Sequence, residues 1–331
     1  MPSPPPREPS SPSERRRAVL WLSVACIAWG WGFPAVKAGT AAMTGIAPEM
    51  GTTGAAAAFI GWRFLLAALI YGLWTWSQQR NFTRLDVLGG LALGGVFVAG
   101  LLLQLVGLQY TLPSVSAFLT ALYVVLLPLS QTLFLGRPPS RALWLAVVLA
   151  LAGLTVLGVA DAPPVQADAP FSYFGEILTL LSAILFTVQI LCLDYFGPRA
   201  NVERLTWLMF CVSAAGGLAV SVAWPGAWRC YAPEHFRAFW LDPTFQWSVA
   251  TTTIFSAVVS FHLMNRYQPS ISPTLAGVIY CLEPVFATGA SVLLAMEELR
   301  WSLFLGGGLI LGAILLAVSD RRSSSKAKGT R

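Results

Sequence analysis

The most informative feature of this sequence is how little charge it carries. Charged residues make up 11% of its 331 positions, against roughly 25% in a typical soluble domain. Hydrophobic residues make up 56%. A composition this apolar excludes an ordinary soluble domain and predicts an all-α integral membrane protein.

Histidine and paired cysteine are also scarce. The chain has two histidines, His235 and His262, and no Cys-x-x-Cys pair. Its cysteines are scattered, mostly within apolar windows: Cys26, Cys192, Cys211, Cys230 and Cys281. Because metal sites and nucleophilic triads need clustered histidine, cysteine or carboxylate side chains, we expect no metal, no cofactor and no Ser-His-Asp arrangement.

Two further absences narrow the function. No Gly-rich phosphate loop of the Walker type is present, so we expect no ATP hydrolysis, and a solute or ion gradient would have to drive any transport. The net charge is +6, but the basic residues lie in short loops and two tails rather than in one aromatic-interleaved patch. This distribution argues against a nucleic-acid partner and indicates contact with a lipid bilayer.

Apolar windows of near-spanning length divide the chain into two sets of five. We expect a first five-helix unit over 18–160, an outer linker over 161–172 and a second unit over 173–319. The Pro- and Ser-rich segment 1–17 and the basic segment 320–331 are expected to be tails, the first of them disordered. The predicted spans are 18–38, 55–76, 87–108, 114–135, 142–160, 173–193, 205–224, 247–263, 274–295 and 301–319.

Charge supports a count of ten spans. With ten, sixteen of the 21 basic residues fall on one side of the membrane, and the positive-inside rule places both termini in the cytoplasm of a multi-pass plasma (inner) membrane protein. Nine spans would put the basic C-terminal tail outside. The sixteen are Arg7, Arg15, Arg16, Arg17, Arg80, Arg84, Arg137, Arg141, Arg199, Arg204, Arg266, Arg321, Arg322, Lys326, Lys328 and Arg331.

The two units resemble each other in sequence. Residues 141–161 align without a gap with 300–320, and 116–128 parallel 272–284, with a proline ending each block at Pro128 and Pro284. Because each unit has an odd number of spans, the second copy must enter the membrane upside down relative to the first. The sequence thus predicts two inverted repeats with both termini inside.

Two charged residues lie where lipid would not tolerate them. Glu283 falls in the middle of the ninth window, beside Pro284, and Arg63 falls in the middle of the second. A charge at the centre of a membrane helix costs roughly 2.5 to 3.5 kcal/mol on insertion scales. We therefore expect both to face protein or a watery cavity, either as a pair that a solute or proton breaks or as a static ion pair joining two helices.

Aromatic residues supply the other candidates. Trp29 and Trp31 lie mid-span, where they would line a cavity or simply pack helices together. Tyr123 and Tyr280 occupy related places in the repeated blocks, and a phenol at mid-depth can offer a solute one hydrogen bond. The aromatic loop 225–246 would act as a lid over the pathway or lie in the membrane interface.

The motifs AWGWGF at 28–33, RF at 63–64, SAFLTALYVVLLP at 116–128 and CLEPVFA at 281–287 resemble the drug/metabolite transporter (DMT) superfamily of EamA type. The resemblance covers nearly the whole chain after Arg17. It implies a ten-span carrier that exports or exchanges small metabolites, including amino acids. The family often has Gly-Glu after the fourth and ninth spans, whereas here Gly136 precedes Arg137 and Glu297 precedes Glu298.

Three classes of function fit a chain of this kind. A secondary carrier for a small polar or amphipathic, amino-acid-like solute accounts for the ten spans, the repeats and the buried charges together, with a proton or counter-solute as the coupled species. An intramembrane enzyme on a lipid-linked substrate would need nucleophiles or ligands clustered at one depth. A membrane sensor or scaffold would usually add a soluble domain. Neither the coupled species nor the oligomeric state follows from the sequence.

Overall fold

The computed structural model describes residues 11–107, 110, 119–134, 136–160, 173–295 and 298–319. The expected linker 161–172, the tail 320–331 and Glu297 lie outside them. In the described ranges the chain is all-helical. The helices are α1 Pro12–Ile46, α2 Gly51–Trp74, α3 Arg84–Gly107, α4 Tyr123–Leu133, α5 Arg141–Ala160, α6 Phe174–Phe196, α7 Val202–Ala223, α8 Pro233–Leu241, α9 Pro243–Thr251, α10 Ser260–Tyr267, α11 Pro273–Tyr280, α12 Leu282–Leu293 and α13 Trp301–Ser319.

Most spans follow the predicted windows, but α1 continues to Ile46, beyond the predicted end at residue 38. Over the described residues, nine helices are long and apolar enough to cross a membrane. A tenth apolar helix, Leu119–Leu133, lies at the predicted fourth span and is shorter. The eighth window is part of one long helix, Pro243–Ser270. This helix contains a π-helical segment, Thr252–Val259, between α9 and α10.

Helix α1 begins earlier than the sequence indicated. Residues 12–17, which we expected in a disordered tail, are its first turns. The Ser11 hydroxyl accepts a hydrogen bond from the Glu14 amide at 3.2 Å, and the Glu14 carboxylate accepts one from the Ser11 amide at 2.8 Å. This reciprocal capping box satisfies two backbone donors that would otherwise be free at the helix start.

The two halves pack against each other in a reciprocal pattern. The second helices of the halves, α2 and α7, lie side by side, as do the last helices, α5 and α13. Helix α3 packs on α6, and in return α1 packs on α9, on the π-helical segment and on α10. Two copies related by a twofold axis would pack in this way.

The fourth and ninth spans share a further detail. The Thr132 hydroxyl donates to the Pro128 carbonyl at 2.8 Å, and the Thr288 hydroxyl donates to the Pro284 carbonyl at 3.0 Å. In each span the threonine lies four residues after the proline, so its hydroxyl bonds back to the preceding turn. The parallel that we noted in the sequence therefore extends to side-chain hydrogen bonds.

One end of the bundle is held together by an unexpected buried carboxylate. Asp86, in the first turn of α3, is 1% exposed and accepts hydrogen bonds from the Asn201 amide at 2.8 Å and from Arg204 Nη1 at 3.0 Å. It also accepts from the Thr83 amide at 2.8 Å. Asp86 thereby joins the loop before α3 to the start of α7. The Thr-x-x-Asp spacing at 83–86 is a capping pattern that the sequence displays.

The loop 225–246 lies at the opposite end, where α8 packs its aromatic side chains against α2. The Trp62 ring lies 5.5 Å from the Phe236 ring and 5.9 Å from the Trp240 ring, centroid to centroid. Cys230 in the same loop is 1% exposed, and burial raises the pKa of its thiol to about 11. This loop therefore contributes to the protein core rather than lying free.

Candidate substrate pathway

The ninth span is broken at its centre. Helix α11 ends at Tyr280 and α12 begins at Leu282, with Cys281 as a turn between them. Pro284 has no amide hydrogen, so it cannot donate to the Tyr280 carbonyl as a residue in a continuous helix would. Glu283 consequently lies in the first turn of a new helix, where the helix dipole stabilises a negative charge.

The Glu283 side chain is half-buried and forms no hydrogen bond or ion pair with the residues that the structure describes. Several polar side chains lie within electrostatic range of its carboxylate: Cys26, Arg63, Tyr123, Tyr280 and Cys281. These residues come from α1, α2, α4, the end of α11 and the break itself. The fold thus assembles polar groups from both halves around one carboxylate in the middle of the bundle.

Arg63 lies at the centre of α2 and is 9% exposed. Its Nη2 donates a hydrogen bond to the Ser256 hydroxyl at 2.9 Å. No carboxylate oxygen of the described residues lies within 4.0 Å of its guanidinium. Arg63 and Glu283 therefore influence each other through space without forming the contact ion pair that equal depth had suggested.

The structure separates the two tryptophans. Trp29 packs edge-on against Tyr280 at 5.5 Å and against Phe261 at 5.4 Å between ring centroids. Trp31 packs against Trp247 at 6.2 Å. Two residues along a helix are about 200° apart around its axis. Trp29 therefore belongs to the neighbourhood of Glu283, and Trp31 lies on another face of α1.

The two tyrosines differ in what their hydroxyl groups contact. Tyr280 is 3% exposed, and its hydroxyl donates to Gln268 Oε1 at 2.7 Å. Gln268 in turn donates from Nε2 to the Ile190 carbonyl at 3.0 Å. Tyr123 is half-buried, and its hydroxyl has no hydrogen-bond partner among the described residues. In this conformation Tyr123 has a free hydroxyl near Glu283, and Tyr280 does not.

Helix α1 passes very close to α12 just beyond the break. A Cβ atom at Gly30 would lie 2.6 Å from Phe286 Cβ and 2.7 Å from the Ala287 amide nitrogen. Such distances leave no room for a side chain, so only glycine permits this crossing. The close approach brings the first span against the helix whose first turn contains Glu283 and Pro284.

Sequence reasoning missed several polar partners of the site. Ser256, in the middle of the predicted eighth span, contacts Arg63, and Gln268, in the loop after that span, contacts Tyr280. Asn265, just beyond the predicted eighth span, is fully buried and donates to the Thr206 hydroxyl at 2.9 Å. A π-helical segment changes which residues share a face, so helical periodicity would have misplaced these side chains.

Comparisons with known proteins agree with the two-unit organisation. The chain matches the EamA-like transporter family twice, over residues 16–159 and 173–319. It is 26% identical over 308 residues to an uncharacterized transporter of Archaeoglobus fulgidus, covering 92% of this chain and 86% of the relative. A crystal structure of a protein at 16% identity superposes with a TM-score of 0.71, covering 92% of this chain and 97% of the other, which shows a shared fold. This chain therefore belongs to the EamA-like transporter family and is a multi-pass membrane protein.

Proposed function

We propose that this protein is a secondary carrier that exports or exchanges a small polar or amphipathic, amino-acid-like solute by alternating access. The observation that carries this proposal is the Glu283 carboxylate, which has no hydrogen-bond or ion-pair partner among the described residues. A carboxylate without a partner in the middle of a membrane bundle is costly unless it meets water, a proton or a solute.

The surrounding geometry supports a role in coupling. The helix break at Cys281 gives the ninth span two segments that can tilt separately, and broken helices of this kind occur at the binding sites of many secondary transporters. A solute or proton that meets Glu283 in only one of two conformations would shift the balance between them. Arg63, Tyr123 and Trp29 are the other side chains that we assign to this pathway, with Tyr280 and Pro284 shaping it.

The first experiment identifies the solute and tests Glu283 together. Cells with and without the protein are compared for solutes retained and released, and the flux of any solute that differs is then measured across pH. We expect Glu283→Gln to reach the membrane in normal amounts yet lose flux or its pH dependence, because the amide cannot bind a proton or hold a negative charge.

The matched control is Glu298→Gln, since Glu298 is exposed beyond the ninth span. This variant should transport at the rate of the unmodified protein. If cells with and without the protein contain the same solutes, the carrier proposal fails. If Glu283→Gln transports normally at every pH, Glu283 has no role in coupling.

A further inference from the structure

We propose that Arg63 and Ser256 form an anion subsite that binds the carboxylate of a solute. This inference rests on the proposed carrier function and names one chemical group that the solute carries. Its basis is a buried guanidinium that the protein orients and, among the described residues, leaves without an anion in hydrogen-bonding contact.

The unused donors of Arg63 are the first observation. A guanidinium has five N–H donors and keeps its charge at any physiological pH. Among the described residues, one side-chain acceptor contacts it, the Ser256 hydroxyl at 2.9 Å from Nη2. Its Nε is buried and has no hydrogen-bond partner. Since a buried donor without a partner costs roughly 1–3 kcal/mol, or more when charged, we expect a ligand to supply the missing acceptor.

The position of Ser256 is the second observation. Ser256 belongs to the π-helical segment, and such segments frequently occur at functional sites because they redirect side chains. A Cβ atom at Gly32 would lie 2.5 Å from the Ser256 hydroxyl, so glycine at this position lets α1 pass beside it. The Thr253 hydroxyl also donates to the Arg63 carbonyl, at 3.4 Å. The Ser256 hydroxyl thus orients the guanidinium without neutralising it, and the Thr253 contact holds the π-helical segment against α2.

A carboxylate fits this arrangement better than a phosphate does. The planar guanidinium matches the two oxygens of a carboxylate in a paired geometry. A phosphate carries up to two charges and usually needs several donors or cations. Lys37, the other basic residue within the predicted spans, has an exposed side chain. One guanidinium therefore offers the paired donors that one carboxylate requires.

The test measures binding directly on the purified full-length protein in chloride-free buffer, by thermal unfolding and by tryptophan fluorescence. The probes are benzoate, its neutral analogue benzamide, and inorganic phosphate. We expect benzoate to raise the unfolding temperature in a concentration-dependent way and benzamide to leave it unchanged, because a ligand stabilises the state that binds it.

Four variants make the test specific. Arg63→Gln should abolish the response to benzoate, and Ser256→Ala should weaken benzoate binding about 5- to 10-fold because the guanidinium loses the acceptor that orients it. If Arg63→Gln does not fold, Arg63→Lys should still weaken binding, since an ammonium group lacks the planar fork. Arg229→Gln, in the outer loop, should respond to benzoate as the unmodified protein does.

Several results would overturn the subsite. One is an equal response to benzoate and benzamide, or no response to either. Another is unchanged benzoate binding in Arg63→Gln or in Arg63→Lys, whichever folds. Tighter binding of phosphate than of benzoate would refute the carboxylate assignment. None of these measurements involves transport, so the subsite and the carrier function can fail separately. If the protein binds benzoate through Arg63 but moves no solute, the carrier function is contradicted and the subsite stands.

Discussion

The polar residues near Glu283 differ in whether other protein groups already satisfy them. The Tyr280 hydroxyl and the Gln268 side chain bond to each other, and Gln268 is 1% exposed. Tyr123 and Glu283 have no such partners among the described residues. Satisfied buried groups stabilise a fold, whereas unsatisfied ones are available to a ligand or to water. We therefore expect mutations in these two sets to have different effects.

The first prediction compares two tyrosine variants. Tyr280→Phe removes the donor to Gln268 Oε1 and leaves that oxygen buried without it, which costs about 1–3 kcal/mol. We expect its thermal unfolding temperature in detergent to fall by several degrees. Tyr123→Phe should unfold near the temperature of the unmodified protein and, under the proposed function, transport more slowly. Equal unfolding temperatures for the two variants would contradict the assigned roles.

At the scale of helices, the bundle depends on a few close crossings. Helices α5 and α13 cross where glycines from both halves meet. A Cβ atom at Gly306 would lie 2.7 Å from the Gly153 carbonyl oxygen, and a Cβ atom at Gly153 would lie 2.7 Å from the Gly306 carbonyl oxygen. In a membrane, where lipid is as apolar as leucine, such close packing is a main source of helix association.

The second prediction uses two glycines of α13. Gly306→Ala places a methyl group against a backbone atom that cannot move aside, so the two helices must separate. We expect a lower thermal unfolding temperature and loss of compact packing, measured on the purified protein in detergent. Helix propensity alone would favour alanine over glycine at position 306, so a loss of stability would have to come from the helix crossing.

Gly308→Ala is the matched control, because a Cβ atom at Gly308 would meet nothing within 4 Å. The control should unfold at or slightly above the temperature of the unmodified protein. Should both variants behave alike, the crossing at Gly306 would not limit the packing of α5 against α13.

At the scale of the whole molecule, the two ends of the bundle carry different groups. Arg15 Nη2 donates to the Ala317 carbonyl at 2.7 Å, and Arg204 and Arg266 lie at the same end, in ion pairs with Asp86 and Glu203. Glu49 and His235 lie at the other end. The distribution of basic residues predicts that the first end faces the cytoplasm.

The third prediction tests this orientation with introduced cysteines. Trp228→Cys should react with a membrane-impermeant maleimide in intact cells, because Trp228 is 56% exposed at the end that we expect outside. Gln78→Cys should react only after permeabilisation. The unmodified protein provides the baseline, and its Cys230 should stay unlabelled until unfolding. Burial and a pKa of about 11 leave little of the reactive thiolate near neutral pH.

Labelling of Gln78→Cys in intact cells, with Trp228→Cys protected, would reverse the predicted orientation. Rapid labelling of native Cys230 would contradict the packing of the outer loop. The unfolded protein should react at Cys230 at mildly alkaline pH. Unfolding exposes the thiol to water, so its pKa returns to the ordinary value of about 8.5 and a larger fraction is thiolate.

The sequence alone determined the class of the protein and the positions of most spans, because hydropathy is a local property that a window of about 20 residues reveals. It also indicated the repeat, the family and the unusual charges Arg63 and Glu283. The boundaries moved where caps such as Ser11 extended a helix and where α1 continued to Ile46. In the described residues the fourth span is a shorter helix.

Only the tertiary structure decided which side chains meet. Arg63 contacts Ser256, 193 positions away along the chain, instead of Glu283. Trp29 joins the centre while Trp31 does not. These outcomes depend on how each helix is rotated, and one residue more or less turns a helix face by about 100°. The π-helical segment Thr252–Val259 introduces such a change within one span, so equal depth in the membrane could not establish contact between Arg63 and Glu283.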